Sequence, residues 1–206
     1  MTSAVTPVLD QPQVIEVQPN GDMDGATRIY KKHLGDMSGI YVDEAAYQAQ
    51  VAEKGAEELI YYVHEHKYQD GPGSLIVGTS TLLPGKVGDE YAVTRGHIHA
   101  QENRAELYHC LSGHGLMLLE TRSGESFVAE LTPGKAVNVP GHWIHRSVNV
   151  GDEPFVTLFC YASDAGQNYD IIAHANGMKT IIVDDGNGGW KAGPNPRHGG
   201  YAAGDQ

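Results

Sequence analysis

The chain has 206 residues, 40% apolar and 19% charged, which is room for one folded domain with some decoration and a core that needs no disulfide staples. Its formal net charge is -12, from 14 Lys and Arg against 26 Asp and Glu, so the basic footprint of a nucleic-acid-binding protein is missing. Two cysteines, Cys110 and Cys160, make neither a disulfide framework nor a zinc-thiolate motif, and no run of about 18 apolar residues offers a membrane span.

In chain order, residues 1–20 are rich in Thr, Pro and Gln and read as an extended arm. The opening MTSAVTPVLDQPQ lacks the basic and apolar regions of a signal peptide, and with few cysteines this points to the cytoplasm, without nucleic acid or membrane as partner. Arg28, Lys31 and Lys32 form an exposed basic spot. Asp43 is placed to cap a helix that runs to about Lys54, with Glu44 in its first turn and Gly55 just past its end.

Beyond Gly55 the texture becomes β. ELIYYVHEHKY and SLIVGTSTLLP read as strands, separated by the turn DGPG. EYAVTRGHIHA, ELYHCLS, HGLMLLET, SFVAELT, AVNVP, IHRSVNV and PFVTLFCYA follow at short, regular intervals, with Gly and Pro between them. That spacing predicts a sandwich or barrel. DIIAHANGMKTIIVDDGNGGW is expected to hold a short helix and a late strand, and residues 191–206 an irregular tail. The expected division is thus an arm over 1–20, a barrel domain with helical decoration over 21–190, and the tail.

One cluster carries chemistry. His97 and His99 are two apart at the end of a predicted strand, so both imidazoles face one side. Glu106 follows after a six-residue loop and starts the next strand. Two His and a carboxylate suit Fe(II), Mn(II), Zn(II) or Ni(II), with positions left open. His145, after the Pro140-Gly141 turn, is placed to add a fourth ligand. His64 and His66 have the same spacing but no carboxylate at hairpin distance, and read as an ordinary strand pair. Tyr108 shares the face of Glu106 and should point inward, with His109 facing away; Tyr161 ends a strand. Arg95 should point opposite to Thr94 and Gly96, Lys86 and His114 should be exposed, and Trp143 and Trp190 should pack.

TLLPGKVGDEY, TRGHIHA, RAELYHCLSGHGLMLLE, PGKAVNVPGHWIH, WIHRSVNVGDEPF and YASDAG resemble the motifs of cupin-type phosphoglucose isomerases, with LGDMSGIYVDEAAY extending the likeness to roughly residues 28–185. The resemblance implies an all-β cupin or jelly-roll barrel with a few short peripheral helices. It implies a homodimer that interconverts glucose 6-phosphate and fructose 6-phosphate at one divalent ion per chain, Fe2+ foremost and Mn2+, Ni2+ or Zn2+ also suited. On matching positions the metal ligands are His97, His99, Glu106 and His145. The catalytic residues are Glu106 and Tyr108, and the substrate-binding residues are Ser80, Thr94, Gly96, Tyr108 and Tyr161. His142 and Gln167 depart from the pattern at the substrate rim.

Two other classes share the scaffold. A non-haem metal dioxygenase uses the same ligand set, and a sugar-binding cupin needs no catalysis. The intact ligand set weighs against the second. The likeness outside the metal motifs, in GKVGDEY and YASDAG, weighs against the first.

Overall fold

The computed structural model describes residues 11–71 and 73–202. Of the predicted arm, residues 1–10 lie outside the described residues, as does the end of the predicted tail, 203–206.

In chain order the elements are β1 (Glu16–Val17), β2 (Met23–Asp24), β3 (Arg28–His33), a 3-10 turn (Leu34–Met37), α1 (Glu44–Lys54), β4 (Leu59–Lys67), β5 (Leu75–Leu82), β6 (Lys86–Val87) and β7 (Glu90–Val93). There follow β8 (Glu106–Ser112), β9 (Gly115–Thr121), β10 (Ser126–Leu131), β11 (Ala136–Val139), β12 (Trp143–Asn149), β13 (Phe155–Ala162), α2 (Asp170–His174), β14 (Thr180–Asp184) and β15 (Trp190–Pro194).

Besides a small two-stranded sheet, β1-β2, the strands build two large antiparallel sheets, as expected for a cupin barrel. One has the order β11-β8-β13-β5-β4-β3; the other runs β10-β9-β12-β7-β14-β15, with β6 beside β7. Buried side chains from both sheets merge into one core, among them Leu82, Cys110, Leu116, Leu118, Ile144 and Phe155. Alternation explains most of these strands. In β9 every residue from Gly115 to Glu120 is buried, because the second face is covered as well. Part of that cover is the chain entering β14, whose Lys179 and Thr180 N–H groups donate to Glu120 at 2.9 and 2.7 Å.

The predicted helix is present with its predicted ends. The Asp43 side chain accepts from the Ala46 N–H at 2.9 Å, and Gly55 closes the helix at φ +89. Tyr47 is its buried residue and donates to the Leu34 carbonyl at 2.9 Å.

Three segments carry pairings that the sequence reading did not place. The basic spot at 28–32 is an edge strand, β3, paired with β4; lysines on an edge discourage pairing with other chains. In the predicted arm, Glu16 and Val17 pair with β2, and across the start of the predicted tail Trp190–Pro194 form β15 against β14. Both segments are too polar or too rich in Gly for local pattern to show what only a neighbouring strand stabilises.

His64 and His66 hold the first hairpin on the outside of the sheet. Their Nδ1 atoms contact the carbonyls of Gly21 and Gly25 at 3.1 and 2.7 Å. Among the described residues no helix is long and apolar enough to cross a membrane.

Candidate metal centre and its cavity

The predicted strand EYAVTRGHIHA stops at Val93. Gly96 then turns the backbone at φ +71, a conformation that suits glycine. A Cβ at Gly96 would lie 2.6 Å from Ile172 and 2.7 Å from the carbonyl oxygen of His145. That close approach lets His97 form a single antiparallel bridge with His145 of β12, while Ile98 bridges Asn168. His97 and His99 therefore meet through two isolated bridges instead of a continuous strand. Glu106 opens β8 between Val139 of β11 and Tyr161 of β13.

Four donor atoms, one each from His97, His99, Glu106 and His145, lie within 4.8 Å of one another, and all four residues are buried. The Nε2 atoms of His145, His99 and His97 stand 3.0, 3.2 and 3.7 Å from one oxygen, Glu106 Oε2. The other ring nitrogens decide what these contacts are. Nδ1 of His99 is 2.9 Å from the Arg104 carbonyl, and Nδ1 of His145 is 3.1 Å from that of Trp143. A carbonyl only accepts, so both Nδ1 atoms carry protons, and in a neutral ring Nε2 is then a bare lone pair. His97 Nε2 is buried with no hydrogen-bond partner. Lone pairs converging on a carboxylate away from water are costly unless a cation lies among them, so this donor set fits a divalent ion.

With no ion among them, Glu106 and the three imidazoles titrate as coupled neighbours, and a ring that takes up a proton becomes a donor to the carboxylate. Burial alone would raise the Glu106 carboxyl, but the His145, His97 and His99 contacts outweigh it and hold it well below the usual carboxylate range. Burial and the neighbouring His145 push His97 down to about 4. Burial opposes charge on His99 too, yet the Glu106 contact wins and raises it. Burial first, and the Glu106 charge second, push the Tyr108 phenol well above its ordinary range, so it stays protonated and able to donate.

His97, Glu106 and His145 face one cavity that opens to solvent. Ser80, Thr94, Gly96, Tyr108 and Tyr161 line the same cavity. Tyr161 also packs its ring 5.5 Å from that of His99, and Tyr108 sits 5.8 Å from His145. Of the two rim positions that depart from the family pattern, Gln167 lines the cavity. His142 does not: its side chain is 68% exposed, at a backbone φ of +70, beside Glu102.

Other side chains are settled by their contacts. Arg95 is half-buried and does not line the cavity; its guanidinium donates to the Asp36 carbonyl at 2.9 Å. Lys86 pairs with Asp184 on the surface, and His114 with Glu130 at 2.8 Å. Trp143 and Trp190 pack against the core. The sequence reading missed Tyr30, Tyr61, Tyr169 and Arg146, all on the cavity wall. Tyr61 was legible in principle, since it alternates with Val63 along β4. Tyr169 was not; it arrives on the loop before α2, with its ring 5.6 Å from that of His97.

Comparison with known proteins gives this geometry a lineage. The sequence pattern of the glucose-6-phosphate isomerase family matches residues 31–198. A glucose-6-phosphate isomerase of Sinorhizobium medicae is 51% identical over 171 residues, covering 83% of this chain and 79% of the relative. One from Thermococcus gammatolerans is 44% identical over 177 residues, 86% of this chain and 90% of its own. Among solved structures, an oxalate oxidase in complex with glycolate overlaps 54% of this chain and 57% of its own at 16% identity, with a TM-score of 0.44, too partial to carry an argument. The sequence kinship extends from the basic edge strand to the last strand and spans every residue of the buried cluster, and on that ground the chain belongs to the glucose-6-phosphate isomerase family and is an enzyme of that kind.

Proposed function

We propose that the chain interconverts glucose 6-phosphate and fructose 6-phosphate, with one divalent ion held by His97, His99, Glu106 and His145. Fe2+ is the first expectation, and Mn2+, Ni2+ or Zn2+ suit the same donors. The observation that carries this reading is that three of the four clustered donors, His97, Glu106 and His145, and the hydroxyls of Ser80, Thr94, Tyr108 and Tyr161 open on one cavity. When bound, the ion supplies a Lewis acid for the sugar's oxygen atoms.

The chain's own residues do the rest. Ser80 and Thr94 offer hydroxyls to the phosphate, and Gly96 leaves that wall without a side chain. Tyr108 donates from a buried phenol to a sugar oxygen. Two routes fit the reaction. In one, Glu106 takes the proton from C2 and returns it to C1 through a cis-enediol. In the other, the hydrogen passes directly between the carbons as a hydride. Substrate deuterated at C2 separates them, since the first route loses label to water and the second keeps it. A homodimer in the cytoplasm belongs to the same reading; the free thiols of Cys110 and Cys160 support a reducing compartment.

The test is conversion of fructose 6-phosphate in purified, EDTA-stripped and metal-reloaded protein. Activity lost with the chelator and regained with metal, without O2 uptake, is the expected result. Metal-loaded protein that consumes O2 and never isomerises the sugar overturns the reading in favour of a dioxygenase.

A further inference from the structure

A second carboxylate stands on the inner face of the six-stranded sheet, away from the metal cluster. Strand register lays out the row. Glu106 of β8 lies opposite Tyr161 of β13, and Tyr161 lies opposite Ile76 of β5. Gly78, the next inward position of β5, pairs with Glu65 of β4, and Glu65 pairs with Arg28 of β3. Gly78 leaves no side chain in this row; a Cβ there would be 2.3 Å from the Phe159 ring. Tyr161 and Glu65 thus reach each other diagonally across β5.

Glu65 is only 5% exposed, and a carboxylate so placed needs partners. It has one for each oxygen. The Tyr161 hydroxyl reaches Oε1 at 3.4 Å, and the Arg28 guanidinium reaches Oε2 at 3.4 Å. Hydrogen bonds in catalytic sites are often this long before substrate binds and tighten in the complex. An ionised carboxylate only accepts, so the direction of the first bond is fixed: Tyr161 donates. Burial raises the Glu65 carboxyl, and Arg28 and Tyr161 oppose that rise. Glu65 itself opens on a neighbouring groove, which it shares with Arg28, while Tyr161 and Gln167 line both spaces. Any influence of Glu65 on the sugar therefore passes through Tyr161.

We propose that Glu65 is a positioning residue: by accepting the Tyr161 O–H it leaves the phenol oxygen facing the substrate as an acceptor for a sugar hydroxyl. This rests on the isomerase reading above. It assigns to the site a carboxylate outside the metal cluster, and it makes Arg28, an edge-strand residue, the group that keeps that carboxylate charged.

The experiment measures kcat and KM for fructose 6-phosphate, metal content, and the dissociation constant of sorbitol 6-phosphate by calorimetry. The proteins are wild type, Glu65→Gln, Tyr161→Phe and the double variant. Glu65→Gln replaces an acceptor with an amide that also donates. The expected result is a rise in KM and in the dissociation constant of roughly tenfold or more, the scale of a hydrogen bond to a charged group, with metal content unchanged. In the Tyr161→Phe background the same substitution should change nothing further, a coupling that a merely structural glutamate would not show. Wild-type affinity in Glu65→Gln, or a loss that simply adds to that of Tyr161→Phe, overturns the proposal while leaving the isomerase reading intact. A metal-loaded wild type that does not isomerise the sugar overturns both. If Glu65→Gln melts early, Glu65→Asp, which withdraws the carboxylate by one methylene, takes its place with the same expected direction, and an unchanged affinity in it overturns the proposal.

Discussion

His97 and His145 donate their backbone N–H groups to each other's carbonyls at 3.0 and 2.9 Å, and their rings meet edge-on with centroids 4.4 Å apart. The main chain thus fixes the spacing of two imidazoles before any side chain contributes. Gly96 permits this bridge, and the first prediction tests it. Gly96→Ala puts a methyl group against Ile172 and the His145 carbonyl in a left-handed conformation. It should cost about 1–3 kcal/mol of stability in urea unfolding and lower the metal content of purified protein. Full metal content with an unchanged midpoint would show that the bridge does not place the ligands.

Ser80→Ala removes a hydroxyl that lines the cavity and makes no described bond within the chain. It should raise KM for fructose 6-phosphate about tenfold and leave kcat and melting temperature alone. Thr94 is a different case, because its hydroxyl also accepts from the Ser147 N–H at 3.0 Å. Thr94→Val should therefore lower the melting temperature as well as the affinity. Steady-state kinetics beside thermal melts separate the two.

Tyr108→Phe keeps the ring that packs against Phe159 and His145 and deletes a buried donor. We expect roughly a ten- to hundredfold fall in kcat/KM with unaltered metal binding. A fall in metal content instead would mean that the phenol holds Glu106 in place and does not act on the sugar.

Glu90 supplies the pH prediction. Burial raises its carboxyl above the ordinary 4.5, against the opposing pull of the Val42 N–H and Arg146. The folded chain therefore holds the Glu90 proton more tightly than the unfolded chain does. Stability from this group is complete below pH 4.5 and is lost as pH rises through the raised folded value. Glu90→Gln should melt higher than wild type at pH 7, and the gap should close as the pH falls toward 4. The gap at pH 7 reads the size of the shift, since about 1.4 kcal/mol, or roughly 3–5 °C in a chain of this size, goes with each factor of ten in acidity. Equal melting curves at pH 7 would contradict the assignment.

The four-donor cluster was legible because its information is local. Two His at i and i+2, a carboxylate after a short loop and a His after a Pro-Gly turn are all spacings that a linear reading can measure. The helix was legible for the same reason, since Asp43 and Gly55 punctuate it. What escaped was what only the tertiary pairing creates. Residues 94–99 read as strand, yet Gly96 breaks the pattern to bring two bridges together. Glu65 sits in a run of alternating strand residues and gives no sign, from sequence, that Arg28 and Tyr161 wait on either side. Tyr169 and β15 depend on neighbours far away in sequence, and local propensity does not see them.

The cluster draws Glu106 from one sheet and His145 from the other. No hairpin or half-barrel contains all four donors. A nascent or misassembled chain therefore presents two imidazoles, or a carboxylate alone, and such fragments hold divalent ions weakly. On the proposed metal reading, tight loading would wait until the two layers have closed on each other, a long-range step in a topology of this kind. An ion captured there would act as an inspection of the finished barrel and would tie the layers together against the fluctuations that part them.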